Sequence, residues 1–342
     1  MISTTVSTER AVASIFNSAV AAGAIGAAWE VGLLDAVRSQ KRVNIELFAK
    51  DRDLDLGSTH GLATTLVVAD ILERQDDFLF PGRLMDEAYR NKSLFHWLCL
   101  GSGGLFSRMQ YVLQNKNRQG EFYERDSVAI AYACHDINKE HFDPYFWEAM
   151  DGLDFKINTV VDLGSGSGQR LMQILDKFPG TSGIGIDIAG PATKVAESHG
   201  KERGLGDRLS FVVGDATNLS YQKEFEDVNL VTSFLMGHDF WPRENCIASM
   251  KCLKKAFPNA RRLLLGDTTR VLLHPDESEN SVTEDDVPIF TLGFEFGHAM
   301  MGTYLPTVKE WEGVFDQAGW RCVKKHVVDS SYPSVIFELE HA

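Results

Sequence analysis

Two hydrophobic rhythms divide the chain. Through residues 8–38, TERAVASIFNSAVAAGAIGAAWEVGLLDAVR, apolar positions recur at helical spacing with few breakers. That predicts one or two helices whose small side chains allow close packing on another helix. VNIELFAKDRDL (43–54) and STHGLATTLVVADILERQ (58–75) predict two further helices, with Ser58 as an N-cap, and DDFLFPG (76–82) a short hairpin strand. Two helices and a small hairpin make a winged-helix-like unit, and helical patterns continue through 84–152. From INTVVDLGSGSG (157–168) onward the rhythm changes. TVVDLG, GIGIDI, LSFVVGDA, VNLVTSF and RRLLLGD are short apolar runs separated by amphipathic stretches, the signature of a doubly wound parallel sheet. CVKKHVVD and PSVIFELE, joined by SSYP, predict a closing antiparallel hairpin. The expected division is therefore a helical domain over 1–152 and an α/β domain over 153–342.

Charge narrows the partners. The chain has 342 residues with 34 basic and 48 acidic side chains, a formal net charge of −14. A nucleic-acid reader needs a basic face, so the winged-helix-like unit is expected to serve dimerisation rather than DNA binding. The acidic runs DRDLDL (51–56) and DESENSVTEDD (276–286) read as solvated loops. Apolar runs are too short or too interrupted to span a bilayer, and MISTTVSTER shows no secretory pattern. Five scattered cysteines without metal-type spacing fit reduced thiols. A cytoplasmic protein with no membrane partner is expected.

VVDLGSGSGQR sets Asp162, Gly164, Gly166 and Gly168 at the first strand-to-helix turn, where backbone must approach a ligand closely. Asp187 closes the next strand, placed for a ribose diol, and VVGDAT offers Asp215 and Ala216 for adenine. The turn alone fits dinucleotide and S-adenosylmethionine folds equally. An acid leading into a GxGxG turn suits a methionine ammonium and is unhelpful beside a pyrophosphate. These motifs resemble the class I S-adenosylmethionine-dependent methyltransferases. That resemblance implies a Rossmann-like, seven-stranded sheet, and the N-terminal module resembles the dimerisation domain of the larger O-methyltransferases, implying a homodimer.

MGHDFWPREN (236–245) follows the fourth strand of that sheet, and FTLGFEFGHAMMGTYLP (290–306) reads as a lid over the substrate. The resemblance to O-methyltransferases of this architecture implies that His238 and Asp239, the His-Asp pair after the fourth strand, supply a general base for methyl transfer to a phenol oxygen. His298 complicates this, because both histidines should hang over the ligand-binding edge of the sheet. SLFHWL, FYERD, LGSGSG, MGHDFWPREN and LGFEFGH closely resemble the phenylpyruvate C3-methyltransferase family, whose relatives methylate the β-carbon of 2-oxo acids such as 5-guanidino-2-oxopentanoate (2-ketoarginine) and indolepyruvate. The resemblance implies non-haem iron, or another divalent metal, held by His238 and His298. It implies Arg125 on the substrate carboxylate, Asp239 beside the metal as proton acceptor, and Trp97 lining the side-chain pocket. Phe240 and Trp241 suit a phenyl ring or a guanidinium equally, and Glu295 is a carboxylate for a guanidinium. Without the resemblance, Arg125 reads as an ion-pair partner of Asp126 and Trp97 as core. The expected activity is C3-methylation of a 2-oxo acid, 2-ketoarginine first and phenylpyruvate next, supplying a β-methylated amino-acid precursor for natural-product biosynthesis. The alternatives are a metal-free O-methyltransferase and a non-catalytic S-adenosylmethionine-binding regulator.

Overall fold

The computed structural model describes residues 7–271, 287–328 and 334–342. The acidic run 276–286 and the SSYP turn lie outside the described residues. The chain forms two compact units, Met1–Glu140 and His141–Ala342.

The first unit opens with α1 (Thr8–Glu30), α2 (Leu33–Gln40), β1 (Val43–Asn44), α3 (Ile45–Asp51) and α4 (Leu56–Val68). β2 (Leu72–Gln75) and β3 (Phe78–Pro81) follow, and the antiparallel order β1-β3-β2 completes the winged-helix-like unit. Two local expectations are corrected here. The N-cap of α4 is Asp55, whose carboxylate accepts from the Ser58 amide at 2.7 Å. A carboxylate is favoured at a helix N-terminus, where it also meets the dipole. Residues 72–75 are strand rather than helix: Asp70 turns the backbone at φ 59°, and the Gly82 amide donates to Ile71 O at 3.0 Å, pairing the segment with β3. The C-terminal half of α1 enters a core with Leu33, Leu34, Val37, Leu66 and Leu79. Its N-terminal half leaves Val12, Ile15, Phe16 and Val20 exposed. By length and composition alone α1 is long and apolar enough to cross a membrane, although Ser14, Asn17 and Ser18 interrupt its apolar runs. Short helices α5 (Met85–Arg90), α6 (Lys92–His96), α7 (Gly103–Ser107) and α8 (Met109–Val112), a π-helical turn at Trp97–Gly101 after α6, and α9 (Ser127–Ile137) complete the unit.

The second unit begins with α10 (Asp143–Asp151) and β4 (Thr159–Leu163), then α11 (Gln169–Lys177), β5 (Ser182–Asp187), α12 (Gly190–Glu202), β6 (Leu209–Val213) and β7 (Val228–Phe234). It continues through α13 (Arg243–Ala256), β8 (Arg262–Thr268), α14 (Thr291–Met301), α15 (Val308–Ala318), β9 (Trp320–Val328) and β10 (Ser334–His341). The division falls after Glu140 rather than after Gly152 because α10 packs on β9 and β10. The sheet order is β6-β5-β4-β7-β8-β10-β9, parallel from β6 to β8, with β10 antiparallel to both neighbours. This is the Rossmann-like sheet with a closing hairpin that the sequence predicts. Helices on both faces bury β7 along its whole length, which explains why VNLVTSF shows no polar alternation. Val161, Leu163, Val231, Leu265, Trp311, Phe315 and Phe337 share the larger core.

Candidate active site

Strand order reverses between β4 and β7, so their C-terminal ends frame the crevice where ligands bind in open α/β sheets. Gly164, Gly166 and Gly168 form the loop after β4 with φ of 69°, 50° and 74°. A Cβ on Gly164 would lie 2.5 Å from Met236 Sδ, so the two crevice loops meet only because this residue is glycine. Asp187 accepts from the Gly166 amide at 2.8 Å through one oxygen and from the Ala189 amide at 2.8 Å through the other. It thereby ties the glycine loop to the end of β5, with lone pairs remaining for a ribose diol. Asp215 accepts from the amide and hydroxyl of Thr217 at 2.8 and 2.7 Å, capping the turn Ala216–Asn218. The Ala216 methyl belongs to the core, which leaves its backbone for an adenine edge.

Asp162 is buried at the end of β4, and the Thr232 hydroxyl donates to it at 2.6 Å. Burial pushes its carboxyl up to about 6, opposed by the Arg170 charge and the Thr232 hydrogen bond and reinforced by Asp187. An acid so placed, with a carboxylate in front of the glycine loop, has the chemistry to bind an ammonium.

Beyond β7, Leu235 takes φ 54° and a 3₁₀ turn over Gly237–Phe240 carries His238. His238 is buried, and its Nδ1 lies 2.8 Å from Asp267 Oδ1 at the end of β8. His298, on α14, is also buried, and its Nδ1 donates to the Phe294 carbonyl at 2.7 Å. The two rings meet edge to face, with centroids 5.1 Å apart and planes at 85°. A carbonyl can only accept, so neutral His298 carries its proton on Nδ1 and its lone pair on Nε2. The Asp267 carboxylate imposes the same tautomer on His238. Two imidazoles oriented in this way by an acid and a carbonyl suit a divalent first-row metal whose other positions go to substrate and water. Among the described residues no group of three or more His, Cys, Asp and Glu side chains is placed to hold a metal.

The remaining candidates are sorted by their surroundings. Asp239 is exposed, and the acid on His238 is Asp267 instead. Phe240, expected against substrate, is 2% exposed and packs in the core beside Cys246 and Ile247. Trp241 is partly buried against Tyr304 and Trp311, with centroids at 5.2 and 5.6 Å. Glu295 accepts from the Val271 amide at 2.7 Å, anchoring α14 to the chain just beyond β8, and burial raises its carboxyl. Trp97 and Arg125 belong to the first unit, where the guanidinium lies 5.1 Å from the indole centroid. Asp126 caps α9 through the Val128 and Ala129 amides. Sequence reasoning missed Asp267 and Thr232. Each had a signal: a polar side chain at or near the C-terminal end of a strand otherwise built for the core.

A family model described as a methyltransferase domain matches residues 160–256. A methyltransferase of Aspergillus campestris, ungE', is 62% identical over 331 residues, covering 97% of each chain. The chain belongs to the class I S-adenosylmethionine-dependent methyltransferases. This methyltransferase is also 26% identical over 323 residues to an indolepyruvate C-methyltransferase of Streptomyces griseus, covering 92% of this chain and 90% of the relative. Its fold matches a putative O-methyltransferase of Nostoc punctiforme with a TM-score of 0.71 at 16% identity, over 98% of this chain and 100% of the other.

Proposed function

We propose that this methyltransferase transfers a methyl group to the β-carbon of a 2-oxo acid at a divalent metal, iron or another, held by His238 and His298. The observation that carries this reading is the second buried imidazole, 5.1 Å from the first and oriented by its own carbonyl acceptor. A general base needs one histidine, and a pair with both Nδ1 atoms engaged keeps both Nε2 lone pairs for a metal, which supports this reading. The distant likeness to an indolepyruvate C-methyltransferase over nearly the whole chain supports the same chemistry. A bound divalent cation would polarise the keto oxygen and make the adjacent carbon acidic, while S-adenosylmethionine supplies the electrophilic methyl. Asp267 fixes the ring of His238, and Asp239 is the carboxylate we assign to the β-proton. Glu295 accepts from Val271 through Oε1, and its Oε2 is the acceptor we assign to a guanidinium substrate.

The His238–Asp267 pair favours a second reading, general-base O-methylation, since an acid-oriented imidazole can deprotonate a phenol unaided. Metal analysis and labelled S-adenosylmethionine separate the two. Label entering indolepyruvate, phenylpyruvate or 5-guanidino-2-oxopentanoate, with one metal per chain lost in His298→Ala, supports C-methylation. Metal-free protein that methylates a phenol, with His298→Ala fully active, establishes the second reading.

A further inference from the structure

Arg170 is a buried charge that the chemistry above leaves unused. It sits in the first turn of α11, two residues beyond Gly168. Its guanidinium carbon lies 3.8 Å from the Phe234 ring centroid and 4.5 Å from that of Phe146, and one nitrogen is 3.3 Å from Asp143 Oδ1. Asp162 and Thr232 are register partners across β4 and β7, and Thr232 and Phe234 alternate onto the same face of β7. The cation and the Asp162 carboxylate therefore share one face of the sheet, behind the glycine loop. Keeping a guanidinium in such a place is costly unless a negative charge uses it.

We propose that Arg170 is a positioning residue for the cofactor: set over two phenylalanines and paired with Asp143, it holds Asp162 in the charged form that meets the methionine ammonium. The inference rests on reading Asp162 as that acid. The charged groups bearing on Asp162 are Arg170 on α11 and Asp187 on β5, with Asp143 on α10 acting through Arg170. Arg170 lowers the carboxyl and Asp187 raises it, so removing the guanidinium leaves burial and a like charge acting together. A neutral acid attracts no ammonium, so the effect is a displaced pH window for binding.

The test is titration of the full chain from pH 5 to 8.5 with S-adenosylhomocysteine, and with 5′-methylthioadenosine, which lacks the amino-acid moiety. Arg170→Met should raise the pH below which S-adenosylhomocysteine binding is lost by about one unit, a weakening of about fivefold at pH 6. Arg170→Lys should keep the parent midpoint, and methylthioadenosine affinity should stay within about twofold for both. Should Arg170→Met not fold, Asp143→Asn removes a carboxylate that competes with Asp162 for the cation and should lower the midpoint. An unmoved midpoint in Arg170→Met, an Arg170→Lys variant displaced as far as Arg170→Met, or a midpoint in Asp143→Asn that fails to fall overturns the assignment. Asp162→Asn separates the two claims: if it leaves the parent profile intact, the reading of Asp162 falls. If it flattens the profile while Arg170→Met does not move it, only the role of Arg170 falls.

Discussion

Asp162→Asn should stabilise the cofactor-free protein while weakening its hold on the cofactor, and pH separates the two effects. The Asp162 carboxyl sits at about 6, against an ordinary value of 3.8. A folded value above the unfolded one means that the folded state holds its proton longer. Below pH 4 both states are protonated and folding bears no ionisation cost. Between pH 4 and 6 the unfolded chain has released the proton and the folded chain has not, so stability falls as pH rises. Above pH 6 both are ionised and the whole cost is present, about 3 kcal/mol for a difference of roughly two units. Asparagine keeps the size and can still accept from Thr232, but carries no charge. Urea unfolding without cofactor should therefore give Asp162→Asn a margin near zero at pH 4 that grows to about 2–3 kcal/mol by pH 7.5. S-adenosylhomocysteine should bind the variant about 10- to 100-fold more weakly at pH 7.5, the worth of a hydrogen bond to a charged group. Parallel stability curves across this range would refute the burial argument. Unchanged affinity would refute the cofactor role.

Asp267→Ala should lower turnover about 10- to 100-fold with little change in S-adenosylhomocysteine affinity, because it frees the His238 ring without touching the glycine loop. Phe240→Ala should cost about 3–5 kcal/mol of stability in chemical denaturation and leave the relative rates on different 2-oxo acids unchanged, as expected of a core side chain. Gly164→Ala should abolish cofactor binding, measured by calorimetry, since the added methyl meets Met236 and the backbone holds φ 69°. We expect a homodimer in light scattering, reduced to monomer by Ile15→Glu with Phe16→Glu on the exposed face of α1; a parent monomer would count against it.

The second unit was legible because a parallel sheet buried on both faces writes itself as short apolar runs, as in β4, β5, β7 and β8, while the closing pair β9 and β10 showed as two strand-like segments joined by a short turn. The glycine loop was equally legible, since positive φ at three alternate positions leaves few other residues. Local competition was not. Asp55 outdid Ser58 as a cap, and residues 72–75 left a helical pattern because a turn at Asp70 offered them a strand partner. Side-chain partners around the site were no more legible. Asp239 stands beside His238 in sequence, but the acid hydrogen-bonded to the His238 ring is Asp267, from a different strand. Phe240 looked like a substrate contact because it follows the histidine, but a 3₁₀ turn sends it inward. Spacing finds the loops of a crevice. Which side chains meet across it depends on register between strands far apart in the chain.

That register also sets a timetable. Asp267 lies on β8 opposite Val335 of β10. During synthesis the acid emerges from the ribosome well before the strand that flanks it. A prematurely terminated product that ends short of β10 would carry the glycine loop, both imidazoles and Asp267, yet leave the strand that presents Asp267 without a hydrogen-bonded neighbour on its β10 side.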